Sequence, residues 1–446
     1  MSTTPQVSYT ELIRTNANFR RLWFGSMASL LGDWFNTIAL YTIVERLTGS
    51  PFALALVFIT KMLPFALASP VAGLLVDRFD RRRLMIGCDT VRAVLVLGFL
   101  LIDETAELPL LYGLMTLQVM LGAVYIPARK ASIPNITTPA ELLTANALMS
   151  ATWSTLLAVG AAVGGFATAL LGEAAVFVID SATYLVSAFF ILRMTIPQEK
   201  LQPETGPIFR TAARQIVDGW KHLKRRPEIG RISLAKPVWA ISGGGLVYML
   251  TLLAGELRPG ELSIGIGLLF SARGLGTGIG PILGRALFKD QQVWPAVLGW
   301  CIAGSGLAYV AVAFVPWMPA WGAIGVVCAF VMLAHAPSGA NWVFSTVMLQ
   351  ERTEDVYRGR VFASEWLLVA TADSIAALAA SLLIETGGMD LRTGFLWFAG
   401  IQIVCGLVWL VTVVPAERAA KGVEMASSGD GISGRSEPTL PAGRRS

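Results

Sequence analysis

Twelve apolar stretches, each near or above the roughly 20 residues that a helix needs to cross a bilayer, are separated in this chain by short polar loops. They run near 22–44, 53–76, 84–102, 109–127, 144–171, 174–193, 237–255, 262–284, 294–315, 319–348, 361–384 and 393–414. Hydrophobic residues make up 54% of the chain and charged residues 15%, too little polar surface to cover a water-soluble core of this size. Inside a bilayer every backbone N–H and C=O must be bonded within a helix or a closed barrel, and long continuous apolar runs satisfy that as helices. The expected fold class is an all-α integral membrane protein with twelve transmembrane helices.

The charges suggest an orientation. Loops on the side of the two chain ends carry 29 of the 35 Lys and Arg, whereas the opposite loops carry only Arg46, Arg258 and Arg392. Positive residues are retained on the cytoplasmic side. The reading is therefore a multi-pass protein of the cell inner (plasma) membrane with both termini cytoplasmic. The net charge of +5 then reports topology and not nucleic-acid binding. Cys88, Cys301, Cys328 and Cys405 all fall in apolar stretches and show neither a disulfide framework nor metal-ligand spacing. The sequence contains no P-loop and no His/Cys cluster, so neither an ATPase, a metal centre nor a cofactor is expected.

Two breaks in composition divide the chain. Residues 195–231 are polar and basic, with Lys221, Lys224, Arg225 and Arg226 clustered, and read as a cytoplasmic linker with an amphipathic helix near 209–223. From about 417 the chain is rich in Gly, Ser and Pro and reads as a disordered tail. The implied organisation is a six-helix half over 1–194, the linker over 195–231, a second six-helix half over 232–416 and the tail over 417–446. The halves repeat weakly. Lys61 stands nine residues before Pro70-Val71-Ala72-Gly73 in the second stretch, and Arg273 eight residues before Pro281-Ile282-Leu283-Gly284 in the eighth. Parallel six-helix halves around a midplane site are a transporter architecture.

The most specific local feature closes the second stretch: Gly73-Leu74-Leu75-Val76-Asp77-Arg78-Phe79-Asp80-Arg81-Arg82-Arg83. Gly73 allows close helix packing. Asp77 can accept hydrogen bonds from a helix N-terminus or a neighbouring Arg and so latch the two halves. Arg78, Arg81 and Arg82 are placed to face cytosol and anionic headgroups. This run resembles the loop motif between helices 2 and 3 of the major facilitator superfamily, G-x-L-x-D-R-x-G-R-R, with Asp80 where Gly is usual.

Further runs resemble the macrolide-efflux and enterobactin-exporter branch of that superfamily. They are Phe19-Arg20-Arg21-Leu22-Trp23, Leu31-Gly32-Asp33, Leu47-Thr48-Gly49-Ser50-Pro51, Pro127-Ala128-Arg129, Leu143-Thr144-Ala145-Asn146 and Arg358-Gly359-Arg360-Val361. The resemblance covers most of the chain. It implies two pseudo-symmetric six-helix bundles, alternating access, and a cavity lined by helices 1, 4, 7 and 10. In helix 5, Gly160-Ala161-Ala162-Val163-Gly164-Gly165 resembles the G-P-x-x-G-G element of proton-coupled antiporters, with Ala161 in place of its proline.

Ionisable groups at bilayer depth are costly and are functional candidates by default. Asp33 leads them, on a helix-1 stripe with Ser26, Ser29, Asn36 and Thr37. The resemblance implies that an acid there is a proton site. Asp180, Glu365 and Asp373 are the other proton-coupling candidates. Lys61 and Arg273 either pair with an acid or bind an anionic substrate. The candidate cavity wall also includes Gln118, Tyr125, Asn146 and Trp153, with His335, Asn341 and Trp342 of helix 10. His335 either titrates near neutrality or bonds a backbone carbonyl. Asp89 and Arg92, spaced i,i+3 on helix 3, read as a structural pair coupled to the latch, not as substrate ligands.

Apolar and aromatic walls with few charges suit an amphipathic substrate better than a sugar phosphate or nucleotide. The expectation is a monomeric, non-enzymatic secondary transporter. It would be an antiporter that takes in protons as it exports a small amphipathic molecule such as a drug or siderophore. Its partners would be substrate, protons and membrane lipids, with no nucleic acid. Two rivals stand beside it. One is a lysophospholipid or other lipid transporter. The other is a non-transporting membrane scaffold or sensor that recruits a cytosolic enzyme through the basic cluster at 221–226.

Overall fold

The computed structural model describes residues 7–198, 207–315 and 320–429, and every regular element among them is helical. Caps written in the sequence set the first helices. The short α1 (Tyr9–Thr15) is followed by α2 (Ala17–Thr48), where the Asn16 side chain accepts from the Phe19 N–H at 2.9 Å. Gly49 ends α2 at φ 57°, a left-handed conformation that glycine adopts without strain. Ser50 caps α3 (Pro51–Arg78), whose first residue is a proline with no N–H to satisfy. Asp80 caps α4 (Arg81–Leu97), accepting from the Arg83 N–H at 2.7 Å. An acid in place of the motif's usual Gly thus gives α4 its cap. Leu108–Ile136 forms α5.

α6 (Pro139–Leu192) has 54 residues, about 80 Å of helix at 1.5 Å per residue, far more than one crossing requires. It crosses twice, bending at Gly172 (φ 79°). Thr152 accepts from Trp23 Nε1 at 2.8 Å and Gly164 lies against Phe35, so the first arm runs parallel to α2. Ser187 lies at Gly25 and Asp180 at Asn36, so the second arm runs antiparallel to it.

After α7 (Ile208–Arg225) and α8 (Pro227–Ser233) come α9 (Ala235–Leu257), α10 (Leu262–Leu287), α11 (Trp294–Val312), α12 (Ala320–Arg352), α13 (Asp355–Glu385) and α14 (Leu391–Gly429). Among the described residues, ten helices are long and apolar enough to cross a membrane. α2, with 32 residues, is long enough but carries the polar stripe that lowers its apolar average, and it packs along both arms of α6. Counting α2 and the two arms of α6 separately, the described residues provide twelve helical segments of spanning length. Most helices extend beyond their apolar stretches. α14 continues to Gly429, through a region where the composition suggested disorder, and 430–446 lie outside the described residues.

The two halves use the same pairing. In the first, α2 packs on α6, α3 on α5, and α4 on the second arm of α6, where Ser181 Oγ donates to the Ala93 carbonyl. In the second, α9 packs on α13, α10 on α12, and α11 on α14. The halves meet where α3 faces α13 and where the first arm of α6 faces α10. At the second contact only glycine fits: a Cβ on Gly267 would lie 2.7 Å from the Ala161 carbonyl oxygen.

On the face opposite the basic loops, the halves are tied together. Glu385 accepts from Ser50 Oγ (3.0 Å) and the Phe52 N–H (2.6 Å), and Tyr248 donates to the Pro51 carbonyl (2.6 Å). On the basic face α5 and α12 make no extensive contact among the described residues. The molecule is therefore shut on its far face.

α7 matches the expected amphipathic helix and lies against both α3 and α13, with the His222 ring stacked on Tyr357 at 4.1 Å. The loop-motif arginines correct the sequence reading. Arg81 donates to the Ala131 carbonyl (2.8 Å) and Asn135 Oδ1 (2.9 Å), and Arg82 to the Ile191 carbonyl (3.2 Å). They close the carbonyl ends of α5 and α6 within one half and do not simply face headgroups. Helix C-termini carry unsatisfied carbonyls and partial negative charge that attract such donors. Asp77 sits exposed at the end of α3, beside Gly73 and Arg78.

Candidate functional site

One face of α2 organises the interior. Asp33, Thr37 and Tyr41 follow at i, i+4 and i+8 and so stack along one line. A cation bonds each of the first two, and a third lies near the ring that packs on Tyr41. Arg92 Nη2 of α4 bonds Asp33 Oδ1 at 2.7 Å, and Lys61 Nζ of α3 bonds Thr37 Oγ1 at 2.8 Å. Arg273 of α10 lies 5.8 Å from the Phe270 ring, which is itself 6.2 Å from Tyr41.

Asp33 is the most elaborately held of these groups. The Tyr184 hydroxyl donates to its Oδ1, Gln118 Nε2 donates to the Tyr184 hydroxyl at 3.0 Å, and the Arg92 guanidinium lies 4.1 Å over the Tyr184 ring. Arg92 also faces Asp89, but at 3.6 Å. The expected i,i+3 pair with Asp89 is thus present, but the tertiary bond to Asp33 is shorter and joins Arg92 to the polar centre. The Asp33 side chain stays 35% exposed, while that of Asp89 is fully buried.

The other candidate acids are sealed. Asp180 is fully buried and accepts from Asn36 Nδ2 at 2.9 Å. Glu365 on α13 pairs with Lys236 on α9 at 3.0 Å, with Trp342 5.6 Å from the Lys236 ammonium. Asp373 is buried with its Oδ1 unpartnered. His335 meets the Tyr309 hydroxyl at 2.7 Å, a side chain where a backbone carbonyl was one expectation. Asn341 Nδ2 reaches the Ala235 carbonyl at 3.4 Å, and Trp342 meets Trp239 and Trp366 edge-on. Tyr125 and Ser187 share a hydrogen bond at 3.2 Å, and Ser26 is buried without a partner for its hydroxyl.

Asn146 and Trp153 are exposed on the first arm of α6, in line with Leu157, which touches Gly274 of α10. This face of α6 points across to the second half and is uncovered toward the basic end.

Several interior groups escaped the sequence reading. Lys236 stood next to the basic linker and counted as a loop charge. Tyr184 and Tyr309 looked like ordinary span aromatics. Their signal is position: each lies in a span among groups that need a partner.

Residues 22–257 match the Major Facilitator Superfamily. This chain belongs to that superfamily. Among its relatives, an MFS-type transporter, YfiS of Bacillus subtilis (strain 168), is 25% identical over 408 residues, 90% of this chain and 94% of YfiS. BacE of Bacillus amyloliquefaciens, named for bacilysin export, is 27% identical over 84% of this chain and 94% of its own. Macrolide efflux protein A of Streptococcus pyogenes is 25% identical over 87% and 93%. The solved structure of the POT family transporter PepTSo superimposes with a TM-score of 0.69 at 11% identity, covering 91% of this chain and 99% of PepTSo. At that identity the likeness shows the shared fold alone.

The Lys236–Glu365 pair supplies a stability test. Both side chains are under 5% exposed. Removing one partner from a buried pair strands the other charge and costs about 3 kcal/mol or more. Lys236→Met is expected to lower the unfolding temperature of the purified protein sharply. Lys236→Met with Glu365→Leu should recover most of the loss, since an apolar replacement of both partners is often neutral.

Proposed function

We propose that this transporter exports a small amphipathic molecule in exchange for protons, by alternating access across the inner membrane with both termini cytoplasmic. One observation carries the proposal: Asp33 alone among the interior acids discussed here is both held by specific partners and substantially exposed. A proton-coupling acid must meet water in one state and be isolated from it in another, and a far face closed by Glu385 and Tyr248 leaves it one route. Relatives named for bacilysin export and macrolide efflux support the outward direction.

The test is transport into respiring inside-out membrane vesicles, using a macrolide, a dipeptide antibiotic and a siderophore with a pH-sensitive dye. Uptake that dissipates a pre-formed proton gradient is the expected result. Absence of flux for all three, with translocation of a labelled lysophospholipid, would replace this reading with lipid transport.

A further inference from the structure

Arg92 stands between two carboxylates and is committed to one. Its Nη2 bonds Asp33 Oδ1 at 2.7 Å, while its Nη1 stops 3.6 Å from Asp89 Oδ1. Its Nε is buried without a partner. Asp89 is fully buried, yet neither of its carboxylate oxygens has a hydrogen-bond partner among the described residues. The Ser187 hydroxyl, shared with Tyr125 at 3.2 Å, acts on Asp89 from beyond bonding distance. An unbonded carboxylate inside a span is costly, so Asp89 is an acceptor in need of a donor, beside a guanidinium with donors to spare. Closing the gap to a charge-assisted bond of about 2.8 Å takes a movement of about 1 Å. On the α5 side, Gly122 faces the guanidinium, and even an added Cβ there would stand 4.0 Å from Nη2.

The two contacts differ in what they join. Asp33 is on α2 and Arg92 on α4, so the present bond ties two helices, whereas Asp89 and Arg92 are both on α4. Tyr184, on the second arm of α6, also holds Asp33 through its hydroxyl, and its ring lies 4.1 Å from the guanidinium. The other titratable groups within electrostatic reach are Cys88 of α4, Lys61 of α3, Tyr125 and Arg129 of α5, and Asp180 of α6. With Asp33 ionised, Arg92, Lys61 and Arg129 are matched by Asp33, Asp89 and Asp180. A proton on Asp33 removes the counter-charge closest to Arg92, and Asp89 is the acid already beside it. We propose that Asp89 is a positioning residue for proton coupling: it receives the Arg92 guanidinium when Asp33 takes up a proton, exchanging a bond between α2 and α4 for one within α4. The inference rests on the transport reading above and adds how proton uptake frees α2. The proton enters from water at the Asp33 carboxylate and returns to water from it, and Asp89 stays ionised throughout. α2 packs along both arms of α6 and also touches α10 of the second half, so its release links protonation to the balance between states.

The test is infrared difference spectroscopy between alkaline and acid pH on the full chain in lipid nanodiscs, with the proton itself as the probe. Bands are assigned by their loss in Asp33→Asn and in Asp89→Asn. The expected spectrum holds a protonated carboxyl band from Asp33 and, with the same midpoint, a shifted carboxylate band from Asp89. Asp89→Asn removes the second acceptor of Arg92 and a neighbouring negative charge, so the Asp33 midpoint should move toward acid by about one pH unit or more. Asp89→Glu should return part of that shift. Tyr184→Phe, which removes a donor to ionised Asp33, should move the midpoint the other way. Size-exclusion profile and unfolding temperature identify a misfolded variant, and Asp89→Glu, which displaces the band and keeps the charge, assigns it if Asp89→Asn does not fold. An unmoved midpoint in folded Asp89→Asn, a protonated band that belongs to Asp89, or a moved midpoint with no Asp89 carboxylate band would each overturn the handover. If the Asp33 band titrates but is indifferent to Asp89, proton coupling at Asp33 stands and only this inference falls. If no Asp33 band titrates in the wild type, the coupling assignment falls with it.

Discussion

Replacing Asp33 with Asn is expected to abolish proton-driven accumulation, by about a hundredfold or more, while leaving the protein folded. An amide cannot carry the coupled proton, but its oxygen still accepts hydrogen bonds from Tyr184 and Arg92. Arg92 also keeps Asp89 and the Tyr184 ring, so the stability change should stay within about 1–2 kcal/mol. The check is substrate accumulation in energised inside-out vesicles, with substrate binding to purified protein measured in parallel. Binding is expected to persist while accumulation is lost. Asp180→Asn is the contrasting control: Asp180 is fully buried and bonded to Asn36, so its loss should alter stability before coupling. An Asp33→Asn protein that accumulates substrate with the wild-type dependence on the proton gradient would sink the assignment.

The sequence carries some layers of this structure and not others, for physical reasons. Hydropathy is summed over about twenty residues, so the spans stand out even where the two arms of α6 are joined by the single non-helical residue Gly172 and no loop separates them. Cap chemistry is local, so Asn16, Ser50 and Asp80 mark their helix starts. Partner choice in the interior depends on the depth and rotation of two helices at once. Asp89 lies three residues from Arg92 and is the natural guess, yet Arg92 bonds more closely to Asp33 from a different helix. Lys236 shows the same limit at a boundary: it stands a few residues past the linker in sequence, but α9 starts at Ala235 and carries it inside to Glu365. The arginines after α3 were legible as basic but not as caps, because the carbonyls they meet belong to α5 and α6.

Arg92→Leu is expected to be the most damaging single change to the fold. The guanidinium bonds Asp33, faces Asp89 and covers the Tyr184 ring. Leucine replaces none of this and leaves two acids facing each other across an apolar gap, one of them fully buried. Breaking one buried pair costs about 3–5 kcal/mol, and here both acids lose the same cation, so the cost should reach the upper end. The expected result is little monodisperse protein after extraction and a sharply lowered unfolding temperature. Lysine keeps the charge but not the planar fork that serves two acids and a ring together, so Arg92→Lys should recover only part of the loss. The decisive comparison is Arg92→Leu with Asp89→Asn, which removes the buried acid along with its cation. If the cost lies in stranded charge, the double variant is markedly more stable than Arg92→Leu alone. If the two are equally unstable, Arg92 holds the bundle through packing on Tyr184, and Asp33 has lost its electrostatic anchor without Asp89 being at stake.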